Sequence, residues 1–169
     1  MTAPSPARTR AVGAYGITVL QVQQLVTDVA IPDVPDAQAP PNTLPISVAV
    51  VQGWIQLVSD DIQGRLFDAT RITDTARRTA MDASIKLAVM LGTAAYVESA
   101  AHPATDGANA TNGSSVLWAR AQAILTGLEV RIAAWVLEGG DVVAEPGVDA
   151  VGAIAGNFPP IAVPDISRW

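Results

Sequence analysis

The chain has 169 residues, half of them hydrophobic and only 15% charged, with sixteen acidic side chains against ten basic ones and a formal charge of −6. That length suits one domain with one core, and the acidic balance lacks the clustered cations that neutralise phosphates, so no sequence-specific nucleic-acid binding is predicted. Cysteine is absent, which removes disulfides, thiolate nucleophiles and cysteine-based zinc sites together and fits a reducing compartment.

Residues 1–17 read as a flexible leader. Basic residues occur in 1–10, but Gly13, Tyr15, Gly16 and then glutamines follow, instead of a compact apolar segment with a small-residue cleavage site. Thr18 followed by Gln21 matches a capping box, and Val19, Val22, Leu25, Val26 and Val29 make a narrow apolar stripe, so a short helix is predicted over 19–29, stopped by Pro32. Pro32, Pro35, Pro40, Pro41 and Pro45 then fix the backbone and remove donors, which predicts an extended, partly polyproline-like strap over 30–45.

A first long helix is predicted over 46–66. Val51, Ile55, Val58, Ile62 and Leu66 recur at helical spacing, and Val50, Trp54 and Leu57 widen the face. A loop follows from Phe67, with Arg65, Asp68 and Arg71 clustered at the turn. Thr73 is placed as the cap of a second long helix reaching Ser99, with Asp74 in its first turn and Met81, Ser84, Ile85, Ala88, Leu91, Ala95 and Tyr96 along one side. Its small residues allow close approach of neighbouring helices. The stretch HPATDGANATNGSS is dense in turn formers and predicts a surface loop between His102 and Ser115. A third long helix, 115–138, carries Leu117, Ala121, Ile124, Leu128, Ile132 and Trp135, and Gly139 with Gly140 ends it. The longest uncharged run, 37–59, holds Pro40, Pro41 and Pro45 and leaves too few helical residues to cross a bilayer, so no membrane span is predicted.

The predicted fold is all-α: a small helical bundle of one short and three long helices over 18–138, with the strap at 30–45 and an extended, non-helical arm over 139–169. Ile55, Ile62, Ile85, Leu91, Ile124, Leu128 and Ile132 are the expected core. Much of the apolar composition is Ala and Val, and some of that surface is expected to meet other subunits.

No catalytic, cofactor-binding or metal-binding residue is predicted. His102 is the only histidine, is followed by Pro103, and has no second ligand type spaced nearby. Asp60 and Asp61 are adjacent carboxylates that point about 100° apart on a helix, unsuited to paired acid–base work. The triplets at Asn109 and Asn112 match the glycosylation pattern but stand in a loop composition that contains it by chance. The sole lysine, Lys86, is not preceded by a glycine-rich phosphate loop. Trp54, Trp118 and Trp135 read as core or inter-helix anchors. In the arm, Phe158, Pro159, Pro160, Ile161, Ile166 and Trp169 are too apolar for a solvating tail, and docking on a partner in an extended mode is expected.

In organisation the chain resembles the head-to-tail adaptor (connector) proteins of long-tailed bacteriophages. The resemblance covers roughly residues 18–138. It runs through TVLQVQQLVTD, VQGWIQLVSDDIQGRLF, RITDTARRTAMDASIKLAVMLGTAAYVESAAHP and SSVLWARAQAILTGLEVRIA. It implies a helical bundle that joins copies of itself into a closed ring of about twelve subunits, in the virion neck, between the portal protein and a tail completion or tail terminator protein. Assembly would take place in the host cytoplasm, and the arm would grip the portal or a neighbour. Arginine outnumbers lysine nine to one, a skew that suggests GC-rich coding and an actinobacterial phage. The longer proline strap and the non-helical arm depart from the family's pattern.

An acidic ring lumen lets DNA slide because it repels phosphates, which accords with the negative charge. Two alternatives stand beside the adaptor reading. One is another helical oligomeric interaction or regulatory module; the other is an enzyme using Asp60, Asp61, Arg65 and Arg71.

Overall fold

The computed structural model describes residues 4–34, 46–102 and 113–138. Most of the strap, the loop 103–112 and the arm, with Phe158, Pro159, Pro160, Ile161, Ile166 and Trp169, lie outside the described residues.

The described residues form an all-α bundle with three long helices. Two short helices precede them, α1 (Pro6–Thr9) and α2 (Val19–Gln23). Thr18 caps α2 through the expected box: its hydroxyl accepts from Gln21 N–H while the Gln21 side chain accepts from Thr18 N–H at 2.8 Å. The helix ends six residues earlier than the periodicity predicts. Beyond Gln23 the backbone tightens into four-residue turns, Leu25 N–H to Val22 O, Val26 N–H to Gln23 O and Val29 N–H to Val26 O. These turns still bury Val26, Val29 and Ile31, while β-branched valines, Thr27 and Asp28 are weak helix formers.

Residues 4–17 of the expected flexible leader pack against the body. Val12 and Ile17 pair across a tight turn whose Gly13 and Gly16 take positive φ, and Ile17 is buried. Arg8 donates to the carbonyl of Ile31 and to Gln23 Oε1, and pairs with Asp33. The Gln52 side chain donates to the Ala7 carbonyl at 2.9 Å.

Helix α3 (Val48–Arg65) is capped by Ser47, and its Val48 N–H bonds the Pro32 carbonyl, which ties the start of the strap to the helix. Val48, Val51, Ile55, Val58, Ser59 and Ile62 form its buried stripe. Leu57, expected to widen that stripe, is 55% exposed instead. A 3-10 turn (Phe67–Arg71) leads to α4 (Thr75–Ala101), whose cap is Asp74, one residue beyond the expected Thr73. The Asp74 carboxylate accepts from Arg77 N–H at 2.6 Å.

The N-terminal half of α4 buries one side, through Met81, Ile85 and Ala88. From Ala88 onward it is buried nearly all round, at Val89, Leu91, Gly92, Thr93, Ala94, Ala95, Val97 and Ala100. Small residues there admit α3 on one side and α5 (Gly113–Glu138) on the other. By length and composition α4 is apolar enough to cross a membrane, yet 56% of its apolar window is buried inside the bundle, where it is the central helix.

Helices α4 and α5 run antiparallel. Arg77 at the start of α4 pairs with Glu138 at 2.9 Å and lies 5.2 Å over the Trp135 ring near the end of α5. Of the expected core residues, Ile55, Ile62, Ile85, Leu91, Leu128 and Ile132 are buried; Ile124 is half-buried at the rim, and its neighbour Leu125 takes the core position. The reason is phase. The inward line of α5 is Ala121, Leu125, Leu128 and Ile132, spaced four, three and four, and Ile124 lies about 100° to one side of Leu125.

Candidate interaction surface

Helix α5 is apolar on both of its sides. Opposite the buried line, Val116, Ala119, Ala123, Gly127, Val130, Ala134 and Leu137 follow at spacings of three, four, four, three, four and three, and all seven are exposed. A helical step of about 100° per residue puts them on one stripe, roughly 180° from the core-facing line. Val130 is 66% and Leu137 87% exposed. Arg120 and Arg131 lie at the margin of this stripe, both solvent-exposed.

A second surface is built where three helices meet. Trp54 of α3 stacks on Tyr96 of α4 with ring centroids 6.1 Å apart, and Tyr96 meets the edge of Trp118 of α5 at 6.0 Å. Gly92 makes room for this arrangement: a Cβ there would lie 3.0 Å from Val58 Cγ1 and 3.4 Å from Trp118 Cζ3. Tyr96 and Trp118 are more than a third exposed, so of the two roles expected for Trp118, core or inter-helix anchor, the structure shows the second: it bridges α5 to α4 at the surface. Two open depressions flank the pair. One of about 300 Å³ is lined by Ala95, Tyr96, Ser99, Ser114, Ser115 and Trp118; the other, about 230 Å³, by Leu57, Val58, Asp61, Tyr96 and Trp118. Shallow aromatic walls with few charges suit an apolar side chain from another protein.

The residues named for a possible enzyme do not converge. Asp60 accepts from Gln56 Nε2 at 2.7 Å on an exposed helix face. Arg65 is directed away to α5, where it donates to Glu129 at 2.8 Å and to Gln122 at 2.7 Å. Arg71 pairs locally with Asp68 at 3.6 Å. Near His102, however, the structure assembles what sequence spacing could not. Its Nε2 lies 3.5 Å from Asp28 Oδ2 and 3.8 Å from Glu98 Oε2. Glu98 was readable in principle, as the residue one turn before His102; Asp28, seventy-four positions away in the chain, carried no signal.

Comparison of the chain with protein-family models, curated proteins and solved structures returns no match.

Proposed function

We propose that the chain is a non-enzymatic structural subunit that assembles with copies of itself. The assembly we favour is a ring in the virion neck of a long-tailed phage, joining portal to tail and passing DNA. The observation that carries the assembly reading is the exposed apolar stripe on α5. A surface helix normally carries one apolar stripe, facing the core, with polar residues opposite; α5 carries a second, and in the single chain it faces water. The occupant proposed for that stripe is a second copy of this chain.

Two unlike surfaces, the α5 stripe and the aromatic face around Tyr96 and Trp118, support a heterologous contact, in which one face of each subunit meets a different face of the next. Such contacts close into rings when the rotation is right. The net charge of −6 supports a passage that does not retain DNA. The portal and tail partners, the virion location and the docking role of Phe158, Ile161, Ile166 and Trp169 rest on the resemblance and on the arm's composition.

The test uses particle images and mass by light scattering, with and without portal-bearing heads. Wild-type chain is expected in rings where portal-bearing heads are present, and Ala123→Glu and Val130→Asp are expected to prevent ring formation while leaving the unfolding curve of the single chain in place. Deleting residues 158–169 is expected to leave the body folded and to abolish joining of tails to filled heads. Wild-type chain that remains single in the presence of portal, or stripe variants that still join heads to tails at normal efficiency, would refute the reading.

A further inference from the structure

Asp28, Glu98 and His102 each offer one ligand atom, and these atoms all lie within 4.8 Å of one another. Glu98 and His102 stand one helical turn apart at the end of α4, a spacing that puts both side chains on one side of the helix. Asp28 comes from the turns after α2, held in place by the buried side chains of Val26 and Val29 on either side of it. The Glu98 side chain is only 14% exposed, and its carboxylate lies against the start of α5, where a Cβ on Gly113 would sit 3.6 Å from Oε2. The ion pairs of Arg8, Arg65, Arg71 and Arg77 engage Asp33, Glu129, Asp68 and Glu138.

We propose that Asp28, Glu98 and His102 bind a divalent transition-metal ion of the Zn²⁺ kind, which clips the turn after α2 to the end of α4. The donor set selects the class. One imidazole favours Zn²⁺ and its neighbours over Mg²⁺ and Ca²⁺, which prefer oxygen alone. The spacing agrees for the two pairs that include His102, while the Asp28 and Glu98 oxygens lie within 4.8 Å of each other: bonds of about 2.0–2.2 Å in a tetrahedron separate ligand atoms by about 3.3–3.6 Å. The His102 contacts at 3.5 and 3.8 Å lie within a few tenths of an ångström of that spacing. Three protein ligands leave the fourth position to water. The two carboxylates also supply the negative charge that offsets the dication. The site is on a different side of α4 from Tyr96.

The experiment is calorimetric titration of Zn²⁺ into the full, tag-free chain, paralleled by Co²⁺ absorption and by thermal unfolding with Zn²⁺ or with chelator. One Zn²⁺ per chain is expected, with a tetrahedral Co²⁺ spectrum and a higher unfolding temperature in the metal-bound form. Asp28→Asn and His102→Gln are both at exposed positions, and each is expected to weaken Zn²⁺ by about 10-fold or more and to remove the thermal shift, with unfolding in chelator unchanged. Three outcomes overturn the proposal: absence of stoichiometric binding, binding that His102→Gln leaves intact, and Mg²⁺ or Ca²⁺ bound as tightly as Zn²⁺.

Discussion

Gly13→Ala is a direct probe of whether the N-terminal segment is seated on the bundle. Gly13 has φ +76°, and a Cβ there would lie 2.3 Å from Ser59 Oγ and 2.9 Å from Ser59 Cβ, on α3. Gly16 in the same turn has φ +66°, but its Cβ would meet nothing nearer than Ala11 Cβ at 3.9 Å. The left-handed backbone penalises alanine by about 1–2 kcal/mol at both positions. Overpacking adds about 1–3 kcal/mol, and only at Gly13. Gly16→Ala is therefore expected to cost about 1–2 kcal/mol and Gly13→Ala about 2–5 kcal/mol. For a chain of this size each kcal/mol moves the unfolding midpoint by about 2–4 °C. Urea and thermal unfolding followed by far-UV circular dichroism read both. Ser59→Gly removes the two atoms a Gly13 side chain would strike, so a double-mutant cycle between the positions should return a coupling of about 1–3 kcal/mol. Equal effects of Gly13→Ala and Gly16→Ala, with no coupling to Ser59, would detach the N-terminal turn from α3 and restore a flexible leader.

Leu125→Ala is expected to cost about 2–5 kcal/mol, as for a buried leucine, and Ile124→Ala clearly less because Ile124 is half-buried; the difference in urea midpoint checks the phase of α5. Thr93 is fully buried with its hydroxyl unpartnered among the described residues, so Thr93→Val is expected to leave stability unchanged or raise it by about 1–3 kcal/mol in the same assay. Burial raises the Tyr15 phenol above its ordinary value of 10.0, and the Asp82 carboxylate adds to the shift. The unfolded chain then loses that proton first, so this contribution is intact below about pH 10 and is lost as pH rises through the folded value. Unfolding free energy measured from pH 8 upward should fall less steeply above pH 10 in Tyr15→Phe than in the wild type.

The long helices are legible because their apolar residues repeat at helical spacing, and the start of α2 because the Thr18–Gln21 box is local; Ser47 and Asp74 cap α3 and α4 just as locally, but the sequence reading names no cap for α3 and places that of α4 at Thr73. The errors have the same root. Periodicity gives a stripe but not its exact bearing: it points Ile124 inward where Leu125 lies, and it extends the α3 face to Leu57, which is exposed. The seating of residues 4–17 was not readable, since it depends on Arg8 meeting the Ile31 carbonyl and on Gly13 meeting Ser59, contacts between segments far apart in sequence. His102 is the sharpest case. Its neighbours in the chain offered a single carboxylate one turn away, and only the packing of α2 beside α4 brings Asp28 to it.

The composition of the α5 stripe bears on how the proposed assembly is controlled. Three alanines, one glycine, two valines and one leucine carry few methylenes, and burying each contributes only about 0.8 kcal/mol. Association costs about 4–15 kcal/mol in lost freedom, so one such contact between two free chains is weak. Small residues nonetheless allow helices to approach closely, and they expose less apolar area in the single chain than leucines would at the same positions. A closed ring changes the balance, because the subunit that closes it makes two contacts for one loss of freedom. A partner that aligns the subunits has the same effect. A stripe of this kind therefore fits a subunit that stays dispersed during synthesis and assembles where a template holds its copies together, which is where the assembly experiments should look for it.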